Sequence, residues 1–369
     1  MWQRTDGRWE GRVQLGYGPG GKRLSRSVIA PGQEEVIRRL KAVQQQVGSG
    51  LPVVDPRVRL EKFLQAWLES VEPRLRRSTY LRYQGLVRGQ LIPRLGGVKL
   101  AQLQPSDVGR MMAQVQRDGL SARTASHCRA VLRAALADGE KAGQLSRNVA
   151  RLADAPRVPS PEPVVLSAAG AQAVLEAMGE GQLRRLVTVA LFTGIRSGEQ
   201  LALTWPDVDL DAGVLSIRRS LQRLGGRFTL GEPKSAASHR MVVMPSQAVA
   251  ALVEERAAQR EARIAAGHRW AARFGELVFS GATGEPLVST TLTHRFQYHL
   301  QVAGLPQLRW HDLRAAHGAL LLASGTDISV VSKRLGHSSV ALTSKHYGGV
   351  AQALQQDAAD RLGRLLQQA

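Results

Sequence analysis

The chain has 369 residues, 43% of them hydrophobic, enough for more than one buried core and too many for global disorder. Fifty lysines and arginines, mostly arginine, stand against 30 aspartates and glutamates, for a formal net charge of +20. Such an imbalance calls for a polyanionic partner, and arginine's planar fork of donors matches phosphate oxygens better than a lysine point charge does. The excess is densest in the middle, about +5 over residues 1–54, about +10 over 55–160 and about +5 over 161–369. No apolar run approaches the roughly 18 residues that span a bilayer, and the start "MWQRTDGRWEG" has no signal-peptide core. A membrane is therefore not the expected polyanion, and a cytoplasmic chain is expected. The one cysteine, Cys128, permits no internal disulfide and reads as a small buried apolar residue in a reducing compartment.

In chain order, residues 1–30 alternate in period two around the turn-rich "GYGPGGK", which predicts a small antiparallel hairpin. "PGQEEVIRRLKAVQQQV" then spaces Val36, Leu40 and Val43 for a helix, with Pro31 and acidic residues at its start. "GSGLPVVDPR" reads as a flexible linker. From Leu60 to about Leu152 every segment has apolar residues at three and four spacing, predicting a compact bundle of four arginine-rich helices. "ADAPRVPSPEPVV" carries four prolines in thirteen residues and reads as an extended strap. Helices with short strands around Val208 to Met244 follow. The last stretch, "AQALQQDAADRLGRLLQQA", places Leu354, Ala358, Leu362 and Leu365 on one helical stripe. The expected division is 1–54, 55–152, a linker over 153–164, and 165–369.

Several stretches could carry chemistry. In "LFTGIRSGEQLALTW" a helix is expected to end at Thr193-Gly194, the glycine serving as a left-handed cap, with Ser197 and Gln200 as a capping pair for the next helix. Arg196 lies in the elbow between, either beside free amides in an anion pocket or as a cap on the first helix. In "RWHDLRAAHGALLLASG", His311 and Arg314 share a helix face, either to hold one phosphate or as an ordinary surface pair, while Leu313, Leu320 and Leu321 face the core. In "GEPKSAASHRMVVMP", "RMVVMP" reads as a strand and Lys234 as riding the turn before it. Finally, "LGHSSVALTSKHYGG" holds His337 and, ten residues on, Tyr347, one of five tyrosines in the chain, close to a double glycine. Core packing and a reactive role both remain open for that phenol.

Arg, Lys, His-x-x-Arg, Leu-Gly-His and Tyr in this order and spacing resemble the tyrosine recombinase (phage integrase) family over about residues 165–350, with "TGIRSGEQLALTW", "HDLR" and "LGHSS…HY" following its pattern. Ala315-Ala316 stand where members often have His and a hydroxyl residue, and Ser235 replaces a frequent threonine. Neither departure removes a catalytic group. The resemblance implies a multidomain, mostly α protein with small β-sheets. Its parts would be an N-terminal three-stranded sheet plus helix for arm-type DNA, a helical core-DNA-binding bundle, and a mixed α+β catalytic domain.

What the family's chemistry implies here is a transesterification at DNA through a 3′-phosphotyrosyl link. Tyr347 would be the nucleophile, Arg196 and Arg314 the clamp on the non-bridging oxygens, and Lys234 the general acid. His311 would bond the phosphate and help take the tyrosine proton, His337 would donate to the phosphate, and Glu199 would buttress the cations. No cofactor or metal is expected, since the nine histidines show no ligand array and no carboxylate triad is spaced for metal-dependent strand transfer. The implied partners are double-stranded DNA at core- and arm-type sites, three further copies in a tetramer on DNA, and DNA-bending or directionality factors. The last helix would dock on a neighbouring subunit or on its own domain. Competing readings are a type IB topoisomerase-like strand transferase, a non-catalytic DNA-binding regulator and a metal-dependent nuclease.

Overall fold

The structure is a computed structural model that describes residues 1–17, 23–48, 57–159, 166–232, 239–271, 273–337 and 339–346. The chain divides into two compact units, Met1–Ser160 and Pro161–Ala369. The expected linker around residue 50, residues 160–165 of the proline-rich strap and the last helix lie wholly or largely outside the described residues.

The first unit opens with an antiparallel sheet of β1 (Trp2–Gln3), β2 (Trp9–Tyr17) and β3 (Arg23–Ala30), in that spatial order. Trp2 and Gln3 pair with Glu10 and Trp9, which turns the hairpin into the three-stranded sheet. Helix α1 (Gln33–Gly48) covers one face and buries Val36 and Val43. It comes so close that a Cβ on Gly11 would lie 2.5 Å from Leu40 Cδ1 and 2.9 Å from a Val36 methyl. Glycine is there because the helix takes the space a side chain would fill.

The bundle that follows comprises α2 (Leu60–Val71), α3 (Arg77–Leu86), α4 (Ile92–Leu95), α5 (Pro105–Arg117), α6 (Ala122–Lys141) and the short α7 (Val149–Leu152). A π turn over Val87–Leu91 joins α3 to α4, directly ahead of Pro93, which has no N–H to give to the preceding turn. Leu64, Leu91, Val108 and Leu132 meet in its core. Cys128 is fully buried there, and burial pushes its thiol up to about 11, so it packs as a small apolar group.

The second unit contains α8 (Ala168–Ala177), α9 (Gln182–Thr193), α10 (Ser197–Gln200), strands β4 (Val208–Asp209), β5 (Val214–Ile217), β6 (Ser220–Leu224), β7 (Arg227–Gly231) and β8 (Arg240–Val243), then α11 (Ser246–Ala266), α12 (Ser289–Val302), α13 (Trp310–Ala323), α14 (Ile328–Leu335) and α15 (Val340–His346). Strands β4, β5 and β8 form an antiparallel sheet with β5 in the middle, and β6 and β7 form a separate hairpin. Helix α9 packs against both α11 and α13, with Leu186, Val187 and Val189 fully buried.

What sets the second unit's interior is the end of α9. Gly194 closes that helix in the left-handed region at φ +66°, and a Cβ there would sit 2.5 Å from His317 Cδ2 and 2.8 Å from Leu335 Cδ2. The buried His317 ring has its Nδ1 2.8 Å from Leu191 O, while its Nε2 lies 3.0 Å from Arg334 Nε. An arginine can only donate, so Nε2 accepts and the proton sits on Nδ1, directed at the Leu191 carbonyl. Arg334 Nη2 also donates to Phe192 O at 3.2 Å and Val243 O at 2.8 Å. One imidazole and one guanidinium thus tie α9, α13, α14 and the end of β8 together and satisfy carbonyls that a helix end leaves open.

Two outcomes follow for stability. Gly194→Ala combines a wrong-handed φ with overpacking against His317 and Leu335, and should cost about 3 kcal/mol in chemical denaturation of the full chain. Burial, and then the Arg334 charge, lower the His317 pKa from 6.5 to about 4. Between those values the unfolded chain takes up a proton that the folded chain refuses, so stability falls as pH drops. From pH 6.5 to 5 the loss is about 2 kcal/mol, and His317→Gln, which keeps one donor and one acceptor, should flatten that slope in urea midpoints. An unchanged slope would remove His317 as its source.

Candidate active site

Of the sequence-selected residues of the second unit, Arg196, Glu199, Arg314 and His337 gather at the C-terminal end of α14, with His311 beside them. Gly336 terminates that helix in the left-handed conformation at φ +66°, leaving the last carbonyls without helical partners. Arginines take three in succession. Arg240 Nε donates to Arg334 O at 2.8 Å, Arg314 Nη2 to Leu335 O, and Arg196 Nη2 to Gly336 O at 3.2 Å.

Arg196 precedes α10, and its placement differs from the expected Ser197/Gln200 capping pair. Glu199 Oε2 accepts from the Arg196 backbone N–H at 3.0 Å, so the capping carboxylate is Glu199. Gln200 turns inward instead and donates to Leu186 O at 2.7 Å. The Glu199 carboxylate is 3% exposed and takes Arg196 Nη1 at 2.7 Å and Arg240 Nη2 at 2.9 Å. Burial alone would raise its pKa, but Arg240 and Arg196 outweigh burial and hold it below the usual carboxylate range. It is an anion shared between two cations.

Arg314 and His311 do share one side of α13, yet they are not the surface pair that spacing left open. Arg314 is 3% exposed and also gives Nη1 to Gly194 O at 2.7 Å, whereas His311, one turn earlier, remains accessible. The helix start that carries His311 is fixed by Asp312, whose Oδ2 accepts from Arg309 N at 2.7 Å. The surrounding protein desolvates His311, and Arg314 and Arg196 act in the same sense against Asp312, so its pKa falls below 6.5 and the ring is neutral at pH 7. That the Arg196 and Arg314 charges both reach His311 places the three groups in one neighbourhood.

His337 follows Gly336 directly. Its Nδ1 lies 2.8 Å from Oγ1 of the fully buried Thr343, which ties the histidine to α15, whose described residues stop one short of Tyr347. Lys234 and Tyr347 both lie outside the described residues.

Three functional neighbours were not singled out from sequence: Arg240, His317 and Arg334. Arg240 opens a strand as one more polar residue in an alternating run, and Arg334 sits among ordinary helix-end cations. His317 falls three residues after Arg314, so helical spacing alone could have placed it beside that arginine. Among the described residues no His, Cys, Asp or Glu group is arranged to hold a metal ion, and no helix is long and apolar enough to cross a membrane.

Against this geometry, the phage integrase family model matches residues 166–353, and the SAM-like N-terminal domain of phage integrases matches residues 59–112. An integrase of Saccharopolyspora erythraea is 28% identical over 414 residues, covering 97% of this chain and 94% of the relative. A XerC-like tyrosine recombinase of Caldanaerobacter subterraneus subsp. tengcongensis is 25% identical over 371 residues, covering 96% and 95%. The Tn1549 transposon integrase, solved in complex with transposon right end DNA, has the same fold at a TM-score of 0.69 and 20% identity over 80% of this chain and 99% of that one. With the family model spanning more than half its residues, the chain belongs to the phage integrase family and is a site-specific tyrosine recombinase.

Proposed function

We propose that this recombinase cuts and rejoins double-stranded DNA with Tyr347 as nucleophile and Arg196, Lys234, His311, Arg314 and His337 around the scissile phosphate, Glu199 holding the cations in place. The tyrosine oxygen attacks phosphorus, its proton leaves with the help of His311, and the 5′ oxygen departs with a proton from Lys234. A 5′ hydroxyl from the partner strand then reverses each step, so the ester is conserved and neither water nor a nucleotide is consumed. Arg196 and Arg314 hold the non-bridging oxygens as charge develops, in the place metal ions occupy in other phosphoryl-transfer enzymes. His337 adds a donor to the same phosphate.

One observation carries this reading. Two guanidinium groups are fastened to consecutive carbonyls, Leu335 O and Gly336 O, within electrostatic reach of a neutral His311 and immediately before His337. A non-catalytic regulator gives no reason to fasten such a pair side by side, and a metal-dependent nuclease would want carboxylates where these cations stand.

For the rest of the chain we propose the three-part division 1–54, 55–152 and 165–369. The first part would hold arm-type sites, and the helical second part, with its charge of about +10 between 55 and 160, would hold core-type sites. A homotetramer on DNA, help from DNA-bending or directionality factors, action at the bacterial nucleoid and integration or excision of a mobile element complete the reading.

Trapping on a nicked suicide DNA should give a denaturation-resistant protein–DNA adduct that chelator leaves untouched. Tyr347→Phe should abolish it with DNA binding intact, and an adduct that survives that substitution would exclude the assigned nucleophile. Arg314→Ala or Arg196→Ala should slow adduct formation by about 10²-fold or more. Because the His311 pKa lies below 6.5 in the free protein and the base must be unprotonated, the second-order cleavage rate at limiting DNA should hold down to about pH 6.5 and fall below it. Binding should weaken by about a thousandfold between low and physiological salt if six or more phosphates are contacted.

A further inference from the structure

Arg240 has no part in the strand-transfer chemistry assigned above. Its side chain is 7% exposed, and it reaches the site from β8, a different element from those that carry Arg196 and Arg314. It donates from Nε to Arg334 O at 2.8 Å and from Nη2 to Glu199 Oε2 at 2.9 Å. The other Glu199 oxygen takes Arg196 Nη1 at 2.7 Å, and Arg196 Nη2 returns to Gly336 O at 3.2 Å. These four contacts close a ring that leaves α14 at residue 334 and rejoins it at 336. Arg314 fills the carbonyl between, at Leu335.

We propose that Arg240 is a positioning residue for the strand-transfer step: through Glu199 it fixes the plane of the Arg196 guanidinium, and so the direction from which that group meets the phosphate. The proposal rests on the assignment of Arg196 made above. Geometry explains why an arginine is needed. Nε and Nη2 lie along one edge of the guanidinium and donate side by side, which lets a single group bridge a carbonyl and a carboxylate. A lysine offers a compact charge and would hold one of the two. Charge points the same way, since Glu199 alone would neutralise Arg196, and the second cation leaves the Arg196–Glu199–Arg240 group net positive beside Arg314. A small misplacement of a clamping group is costly for rate, because the hold must be correct in the transition state and not merely present.

The test uses the full-length protein on the suicide DNA in single turnover, with Arg240→Lys compared with wild type. Two scissile groups are used, an ordinary phosphodiester and a neutral methylphosphonate that lacks one charged non-bridging oxygen. The expected result is cleavage slowed about tenfold or more on the phosphodiester, with DNA affinity within about twofold of wild type. The defect should be smaller on the methylphosphonate, where aligning a guanidinium on a charged oxygen matters less. Equal slowing on both substrates would reduce Arg240 to a fold-stabilising residue and overturn the proposal, as would no slowing at all. If Arg240→Lys fails to fold, Glu199→Gln opens the same ring at its middle, and lack of the substrate-dependent split in that variant is equally fatal. Failure of the underlying assignment is separately visible, as an absent wild-type adduct or one that persists in Tyr347→Phe.

Discussion

A helix must do something with its last carbonyls, and at α14 that requirement organises the site. Water or a polar side chain usually satisfies such groups. Here Arg240, Arg314 and Arg196 do so in residue order, each from a different element. The partial negative charge of the helix end favours the cations, and the carbonyls in turn fix where the cations lie. Gly336 turns the chain immediately afterwards, so His337 is delivered to the same place by the same helix end. The position of α14 is itself secured from beneath by Arg334, His317 and the close approach of Leu335 to Gly194.

Burying guanidinium groups demands compensation. An ion taken from water loses several kcal/mol of solvation, and removing one partner of a buried pair typically costs 3–5 kcal/mol because the other is stranded. Arg314 is compensated by two backbone carbonyls, Gly194 O and Leu335 O. Arg196 and Arg240 both bond the Glu199 carboxylate, and each also donates to a carbonyl. This distribution keeps the cations in place without cancelling them, which is what an anion-binding site needs.

How far the sequence foretold this depends on the kind of interaction. The Thr193-Gly194 helix end was legible because a left-handed cap is a local backbone requirement that glycine meets. The shared face of His311 and Arg314 follows from helical spacing, and the N-terminal sheet and α1 from period two giving way to three and four. Burial of Arg314 was not legible, since nothing local says that the face carrying it is covered by α9 and α14. The Ser197/Gln200 pairing failed for a related reason: Gln200 is drawn inward by Leu186 O, across the helix end, and Glu199 takes the cap. Arg240 and Arg334 bond carbonyls some ninety residues away in the chain, and a donor–carbonyl contact leaves no side-chain pattern at the acceptor. Family resemblance supplied the roles of Lys234 and Tyr347, which local pattern could single out but not assign.

The histidines show how one electrostatic field can serve two purposes. His317 is neutral because it is buried beside Arg334, and there neutrality is structural, since a protonated ring could no longer accept from that arginine. His311 is neutral because its surroundings desolvate it and because Arg314 and Arg196 repel a further positive charge. Under the proposed assignment those two arginines would also receive the phosphate. A phosphodiester brought between them carries one negative charge, which offsets their effect on the imidazole and makes His311 more basic than in the free protein. Proton acceptance by His311 would then be strengthened by the arrival of the phosphodiester that the tyrosine is to attack. The same arginines that lower the histidine's pKa in the free protein would set how far binding raises it.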